Sequence, residues 1–455
     1  MKVHFIAIGG SAMHNLAISL CKKGYQVSGS DDEIFEPSRS RLEKYGILPR
    51  EIGWNPEKIT SGLDAVILGM HARNDNPELI KARELNLKIY SYPEYLYEQT
   101  KDKTRVVIGG SHGKTTITSM IMHVLKFHGK DFDYMVGAQI DGFDTMVNLS
   151  NNTDVAVFEG DEYLSSPIDP RPKFHLYKPH IAVLSGIAWD HMNVFPTFEN
   201  YCEQFQIFID SIEKNGTLYY FKNDPVLCEM VKKSGHDIVK TAYDIHAYTK
   251  HNNTTCLINI DKEIPLQIFG QHNLQNISAA KLVCNQLGIS DDDFYQAISS
   301  FKGAAKRLEV LAENEKTIIF RDFAHSPSKL KATVTAVKEQ YSERDLFAIM
   351  ELHTFSSLNA NFLKEYRDTM ELADIAVVYF NPDVIKHKKL DPITKQQVKE
   401  AFGDPYLIVF TNQEEMIRFI KDIDLKDKNL LFMSSGNFSG IDLPAFAHQL
   451  IDTGR

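Results

Sequence analysis

Short apolar runs alternate with amphipathic stretches along the whole chain, the pattern of an α/β fold in which strands and helices take turns. The first run, Val3-His4-Phe5-Ile6-Ala7-Ile8, is rich in β-formers; Gly9-Gly10-Ser11-Ala12-Met13 follows, and Leu16, Ile18 and Leu20 then predict a helix that Gly24 ends. Tyr25 to Asp31 reads as a second strand with an acid at its tip, so the opening is a Rossmann-like β-α-β unit. Asp31 lies about 20 residues past the glycines, where that arrangement places a ribose-binding carboxylate. Ala65 to Met70 predicts a later strand of the same sheet, and His71-Ala72-Arg73 stands at its C-terminal end, the edge at which α/β folds bind ligands.

A second alternating region starts at Val106-Val107-Ile108 and a helical run from Ile117 to Phe127. Val155-Ala156-Val157-Phe158 predicts a buried strand ending in Glu159-Gly160-Asp161-Glu162, and Ile181 to Ile187 another, ending near Asp190-His191. In a third region Thr317 to Phe320, Leu346 to Met350, Ile375 to Phe380, Leu407 to Phe410 and Leu430 to Met433 are strand candidates. The length of 455 residues implies about three domains, and the pattern divides the chain into 1–98, 99–308 and 309–455.

Composition narrows the function classes. A 43% hydrophobic and 24% charged chain is that of a globular protein, and no apolar run approaches a membrane span. The formal net charge of −10 argues against nucleic-acid and anionic-membrane partners. Five scattered cysteines without a Cys-x-x-Cys pair suggest neither disulfides nor a thiolate metal site. With no signal-peptide pattern at the N-terminus, a cytoplasmic location is expected.

The strongest chemical signal is Gly110-Ser111-His112-Gly113-Lys114-Thr115-Thr116 between a strand and a helix. Glycines let backbone N–H groups point inward beside the positive end of the helix, so the loop is built for a triphosphate. Lys114 is placed to reach the β- and γ-phosphates and Thr115 to ligate Mg2+. Ile108 stands where the general phosphate loop has its first glycine, leaving a shorter Gly-x-x-Gly-Lys-Thr-Thr form. Glu159, at a strand tip, is a candidate Mg2+ ligand beside Thr115, and His191 is a candidate for a second cation or a substrate carboxylate. Farther on, Gly270-Gln271-His272-Asn273-Leu274-Gln275-Asn276 opens a helix whose amides are placed for adenine, while Arg307 and Asp322 suit phosphate and ribose. A dinucleotide-dependent oxidoreductase would leave Lys114, Thr115 and Glu159 without a role. A non-catalytic nucleotide sensor would be expected to have lost them.

The order of these motifs resembles the Mur ligases, ATP-dependent amide-bond formers of bacterial cell-wall synthesis, over essentially the whole chain. Ile8 to Met13, Gly29-Ser30-Asp31, Ser111 to Thr116, Glu159 to Glu162, Asp190-His191-Met192, Gly270 to Asn276, Arg307 with Glu309, and Asp322 to Pro327 carry the resemblance. It implies three α/β domains: a Rossmann-like N-terminal one for a UDP-sugar, a central P-loop ATPase domain with a mostly parallel sheet, and a Rossmann-like C-terminal ligase domain. It also implies ATP and Mg2+ as cofactors, with His272, Asn273, Asn276, Arg307 and Asp322 completing the nucleotide site. Gly9, Gly10, Ser11, Ser30, Asp31, His71, Arg73, His325 and His353 are implied to face the other substrates. The N-terminal motifs look like the branch acting on UDP-N-acetylmuramate. Arg171 to Pro179, Phe35-Glu36-Pro37 and Ala72-Arg73 resemble its murein peptide ligases, implying L-alanyl-γ-D-glutamyl-meso-diaminopimelate as the amine substrate. His353-Thr354-Phe355-Ser356 is closer to the L-alanine-adding ligases, although Ser357 stands where those carry Arg, so L-alanine is the alternative. Tyr201 to Gln206 offers no lysine for the carbamoylation that other relatives use, and oligomeric state is left open.

Overall fold

The computed structural model describes residues 1–452. Three sheets, each mostly or wholly parallel, carry the architecture, in the order in which the apolar runs occur along the chain. The first has four parallel strands, ordered Gln26–Ser30, Lys2–Ile6, Ala65–Leu68, Ile89–Ser91. Val3, Phe5 and Ile6 are fully buried, as expected of a parallel strand covered on both faces. The helix after the glycine turn spans Ser11–Lys22, and Gly24 (φ +88°) follows its end.

Seven strands form the second sheet. Its central strand, Thr104–Gly109, pairs in parallel with Val155–Glu159 on one side and Ile181–Leu184 on the other. Asp133–Met135 and Val147–Asn148 extend one flank, the latter antiparallel, while Thr217–Phe221 and Val239–Tyr243 extend the other. The chain thus winds outward on both sides of Thr104–Gly109, which makes its C-terminal end a topological switch point. Register puts Glu159 opposite Ile108 and Leu184 opposite Gly109, so all three strands deliver their tips to one edge. The third sheet has six strands, ordered Glu309–Glu313 (antiparallel), Ile318–Asp322, Lys428–Met433, Asp345–Glu351, Ile375–Tyr379 and Ile408–Phe410.

Some elements exceed what periodicity revealed. Tyr248–His251, Thr254–Asn259 and Lys262–Pro265 form a small antiparallel sheet, whose first turn holds Asn252 and Asn253 at positive φ, as a tight hairpin requires. Its apolar run is short, Cys256-Leu257-Ile258 in the middle strand, and the two flanking strands are largely exposed. Conversely, the strand expected through Ile187 stops at Leu184, because Gly186 turns the chain at φ +138°. Among the described residues no helix is long and apolar enough to cross a membrane.

The chain divides into two compact units. One comprises 1–187, 199–244 and 279–297 and holds the first two sheets; the other comprises 188–198, 245–278 and 298–455. Within the first unit the two sheets' layers are joined by backbone-to-side-chain bonds: Met146 N–H donates to Asn15 Oδ1 (3.0 Å) and Leu149 N–H to Ser19 Oγ (2.8 Å).

Arg105 fastens the base of the central strand. Its side chain is almost fully buried, yet it donates to five carbonyls, those of Thr100, Lys101, Lys103, Tyr177 and Lys178, and pairs with Glu213 at 3.2 Å. Arg105→Met would leave these buried acceptors unsatisfied. Denaturant titration is expected to show a loss of about 3–5 kcal/mol, with the midpoint lowered and the slope unchanged.

Candidate functional site

The phosphate loop lies at the switch point of the seven-stranded sheet, and its glycines are there for steric reasons. Gly110 (φ +125°) has no room for a side chain, since a Cβ would stand 2.2 Å from Ser185 Oγ. Gly113 (φ +78°) is the left-handed residue that starts the helix Lys114–Phe127, one turn earlier than periodicity suggested. Ser111 N–H donates to Gly186 O (3.0 Å), and the Ser185 hydroxyl donates to His112 O, so the neighbouring strand tip fixes the loop's path. Thr115 and Thr116 are buried, and His112 and Lys114 are half-buried.

Two carboxylates organise the loop's polar groups. Lys114 Nζ donates to Glu162 Oε2 (2.6 Å) and to Gly110 O (2.7 Å). Burial opposes the lysine's charge, but Glu162, with Asp161 and Glu159 behind it, more than compensates and raises its pKa. Tyr201 OH, from the helix Phe198–Asp210, donates to the other oxygen of Glu162 (3.2 Å) and lies 3.0 Å from Ser111 Oγ. Thr115 Oγ1 donates to Glu159 Oε1 (2.9 Å), while Glu159 Oε2 accepts from Gly137 N–H (2.7 Å). One hydroxyl and one carboxylate are hard oxygen donors of the kind that would suit Mg2+. Among the described residues no group of three or more His, Cys, Asp or Glu is placed to hold a metal ion by itself.

At the first sheet, Gly9 N–H donates to Asp31 Oδ2 (2.6 Å), and a Cβ on Gly9 would lie 2.9 Å from that oxygen. Burial, reinforced by Asp32, raises the Asp31 pKa to about 6 despite the Gly9 bond. Gly10 and Ser11 start the following helix, and Ser30, fully buried, accepts from Lys58 Nζ (3.1 Å). His71 and Arg73 are exposed, with Arg73 paired to Asp75 at 3.2 Å. These residues and the phosphate loop with Glu159 belong to the first unit.

His191, His272, Asn273, Asn276, Arg307, Asp322, His325 and His353 belong to the second unit. Trp189 packs on Phe362 (6.0 Å between rings), and the buried Asp190 faces Lys329 Nζ (3.4 Å) and His325 Nε2 (3.7 Å). Burial works against the Asp190 charge, yet Lys329 and His325 hold its carboxyl well below the usual range. His191 follows at φ +54°, its N–H bonded to Asp190 Oδ1 (2.8 Å). Asn273 Nδ2 donates to Phe269 O (2.8 Å), Asn276 is buried, and burial lowers the His272 pKa to about 4. Asp322 Oδ2 accepts from Leu308 N–H (2.6 Å), shaping the turn that carries Arg307, whose guanidinium lies over Phe323 (4.6 Å). His353 follows the tip of Asp345–Glu351.

Sequence reasoning passed over Glu162, Tyr201, Asp190 and Lys329. Glu162 lay in the quoted acidic cluster, but of that cluster only Glu159 was given a role. Asp190 likewise lay in the Asp190-His191-Met192 motif without a role of its own, while Tyr201 and Lys329 have no local signal, since their partners are distant in sequence.

Comparison with known proteins gives this geometry a context. Residues 2–104 match the Mur ligase family catalytic domain, 108–284 the Mur ligase middle domain, and 306–436 the Mur ligase glutamate ligase domain. A UDP-N-acetylmuramate–L-alanine ligase of Caldicellulosiruptor bescii is 32% identical over 394 residues, covering 83% of each chain. Two crystal structures share the fold at 22% identity, covering 100% of this chain and 99% of theirs. They are the UDP-N-acetylmuramate-alanine ligase of Thermotoga maritima (TM-score 0.71) and a murein peptide ligase of Psychrobacter arcticus (TM-score 0.66).

The loop geometry predicts the effect of a single methyl group. Gly110→Ala is expected to weaken ATP binding by about tenfold or more in calorimetry, because a strained φ and the Ser185 clash fall on the loop itself. Circular dichroism should remain that of the native protein.

Proposed function

This chain belongs to the Mur ligase family, the ATP-dependent ligases that form amide bonds in peptidoglycan synthesis, and on that footing we propose its reaction and substrates. The reaction joins the lactyl carboxylate of UDP-N-acetylmuramate to the amine of L-alanyl-γ-D-glutamyl-meso-diaminopimelate, a step of peptidoglycan recycling. The carboxylate attacks the γ-phosphate of ATP; the resulting acyl phosphate is attacked by the amine, and phosphate leaves.

The observation that carries the phosphoryl-transfer half is the Lys114–Glu162 pair beside Thr115 and Glu159. Lys114, kept charged by its carboxylate neighbours, neutralises the transferring group, and the loop N–H groups hold the phosphates in line. Thr115 and Glu159 would hold Mg2+, and His191 is assigned to a second cation by its match to the family motif. When bound, the metal would offset charge on the phosphate oxygens. His272, Asn273 and Asn276 are assigned to adenine, Arg307 and Asp322 to the nucleotide's phosphate and ribose. Gly9, Gly10, Ser11, Ser30, Asp31, His71 and Arg73 are assigned to the UDP-sugar, and His325 and His353 to the remaining substrate groups. Domain limits are assigned at 1–98, 99–308 and 309–455, each span holding one of the three sheets.

The tripeptide reading rests on the segment between Glu162 and the strand Ile181–Leu184. It forms a hairpin, Leu164–Ser166 with Asp169–Pro172, and a short helix Lys173–Leu176. Lys173 pairs with Asp161 next to the lysine carboxylate, and Arg171 reaches Glu94 (3.3 Å), so this added structure is tied to the site and to the sugar-binding layer. L-alanine is the second reading, favoured by the name of the C. bescii relative.

Phosphate release from ATP and UDP-N-acetylmuramate, assayed with each amine, separates the two. Stimulation by the tripeptide and not by L-alanine is expected; stimulation by L-alanine alone would overturn the recycling assignment. Lys114→Ala is expected to abolish turnover in the same assay. Asp31 gives a pH signature. Its ionised carboxylate accepts from ribose more strongly than the neutral acid does, so as pH falls from 7 to 5 through a pKa of about 6 the KM for UDP-N-acetylmuramate should rise, by up to about tenfold. Asp31→Asn should have a raised KM that is flat over that range.

A further inference from the structure

Glu351 is a carboxylate that the reaction outlined above does not use, at the C-terminal tip of a strand near the middle of the six-stranded sheet. It is 2% exposed. One of its oxygens, Oε2, accepts from the Ser434 hydroxyl and from Phe438 N–H (2.9 Å), both beyond the tip of the adjacent strand Lys428–Met433. Its other oxygen, Oε1, faces His353 Nδ1 at 3.8 Å. Gly436 makes this approach possible, because a Cβ there would lie 2.8 Å from Glu351 Oε2 and 2.8 Å from His353 Cγ. The chain after His353 is also locked. Thr354 N–H donates to Ser357 Oγ (2.9 Å) and Ser357 N–H to Thr354 Oγ1 (3.0 Å), with Ser357 fully buried. The serine that stands where relatives carry arginine therefore fixes the turn. The His353 side chain is 35% exposed, so the ring reaches the surface at the sheet edge where α/β folds bind ligands.

We propose that Glu351 and His353 form a dyad in which His353 takes the proton from the incoming amine and Glu351 positions it. The proposal rests on the ligase reading above. At neutral pH an amino group is an ammonium ion and has no lone pair to attack with. His353 Nε2 accepts one of its protons; the freed pair forms the C–N bond, the C–O bond to phosphate breaks with its electron pair going to the phosphate oxygen, and that phosphate takes the second proton from nitrogen and leaves as hydrogen phosphate. Glu351 Oε1, 3.8 Å from Nδ1, would take Nδ1–H on closing to hydrogen-bond distance, fixing Nε2 as the acceptor and stabilising the imidazolium that forms. Contacts of this type commonly tighten from the free-enzyme distance when substrate binds. Among the described residues Glu351 is the charged group paired with His353.

The test compares wild type, Glu351→Gln and His353→Ala in two assays with ATP and UDP-N-acetylmuramate. One follows amide formation with the tripeptide and with L-alanine; the other follows hydroxamate formation with hydroxylamine, which is largely unprotonated at neutral pH and needs no base. His353→Ala is expected to lower kcat for the amide by about 10²-fold, well beyond any rise in the KM for amine, with Glu351→Gln following in the same direction. Hydroxamate formation should persist in both, which also shows that the variants are folded and still make the acyl phosphate. If amide and hydroxamate formation fall together, or if only the KM for amine rises, the dyad is not a proton acceptor. If wild type itself yields no hydroxamate, the ligase reading fails first.

Discussion

The ion pair between Lys114 and Glu162 is the constraint on which the nucleotide site depends. A lysine in this half-buried loop would tend to lose its proton, and with it the positive charge on which the proposed phosphoryl transfer relies. Glu162, with Asp161 and Glu159 close behind, reverses that tendency. The carboxylate is itself held by Tyr201, which also touches Ser111, so the charge on the lysine and the shape of the loop come from one connected set of groups. Glu162 is nearly fully buried, which is tolerable because both of its oxygens are engaged.

That set exists because three parallel strands end together. Thr104–Gly109 supplies the loop, Val155–Glu159 the carboxylates at and just past its tip, and Ile181–Leu184 the Ser185-Gly186 turn against which the loop is packed. A shift in register of one residue on either flank would move Glu159 or Ser185 off this edge. The second unit repeats the device: Glu351 and Ser434 emerge from neighbouring strands, and glycine again allows the polar groups to meet.

What was legible in the sequence was what local chemistry writes into it. The apolar runs located the main strands of all three parallel sheets, and the phosphate loop declared itself because glycines, Lys114 and Thr115 are contiguous. Glu159 was legible as an acid at a strand tip. Glu162 as the partner of Lys114 was not, because 48 residues separate them and only the sheet brings them together. Lys329 and Asp190 are farther apart still, at 139 residues, and a lysine in an amphipathic helix looks like any other. The small antiparallel sheet of residues 248–265 escaped because its strands are short and exposed on much of their surface.

In the proposed reaction the phosphate loop activates a carboxylate and does not simply hydrolyse ATP. Labelling both lactyl carboxylate oxygens of UDP-N-acetylmuramate with oxygen-18 tests it in one turnover. An acyl phosphate must carry one carboxylate oxygen as its bridge and release it on the phosphate, so mass spectrometry should find one label in each phosphate molecule formed with amide. Unlabelled phosphate, with both heavy oxygens still on the sugar nucleotide or its product, would contradict the account.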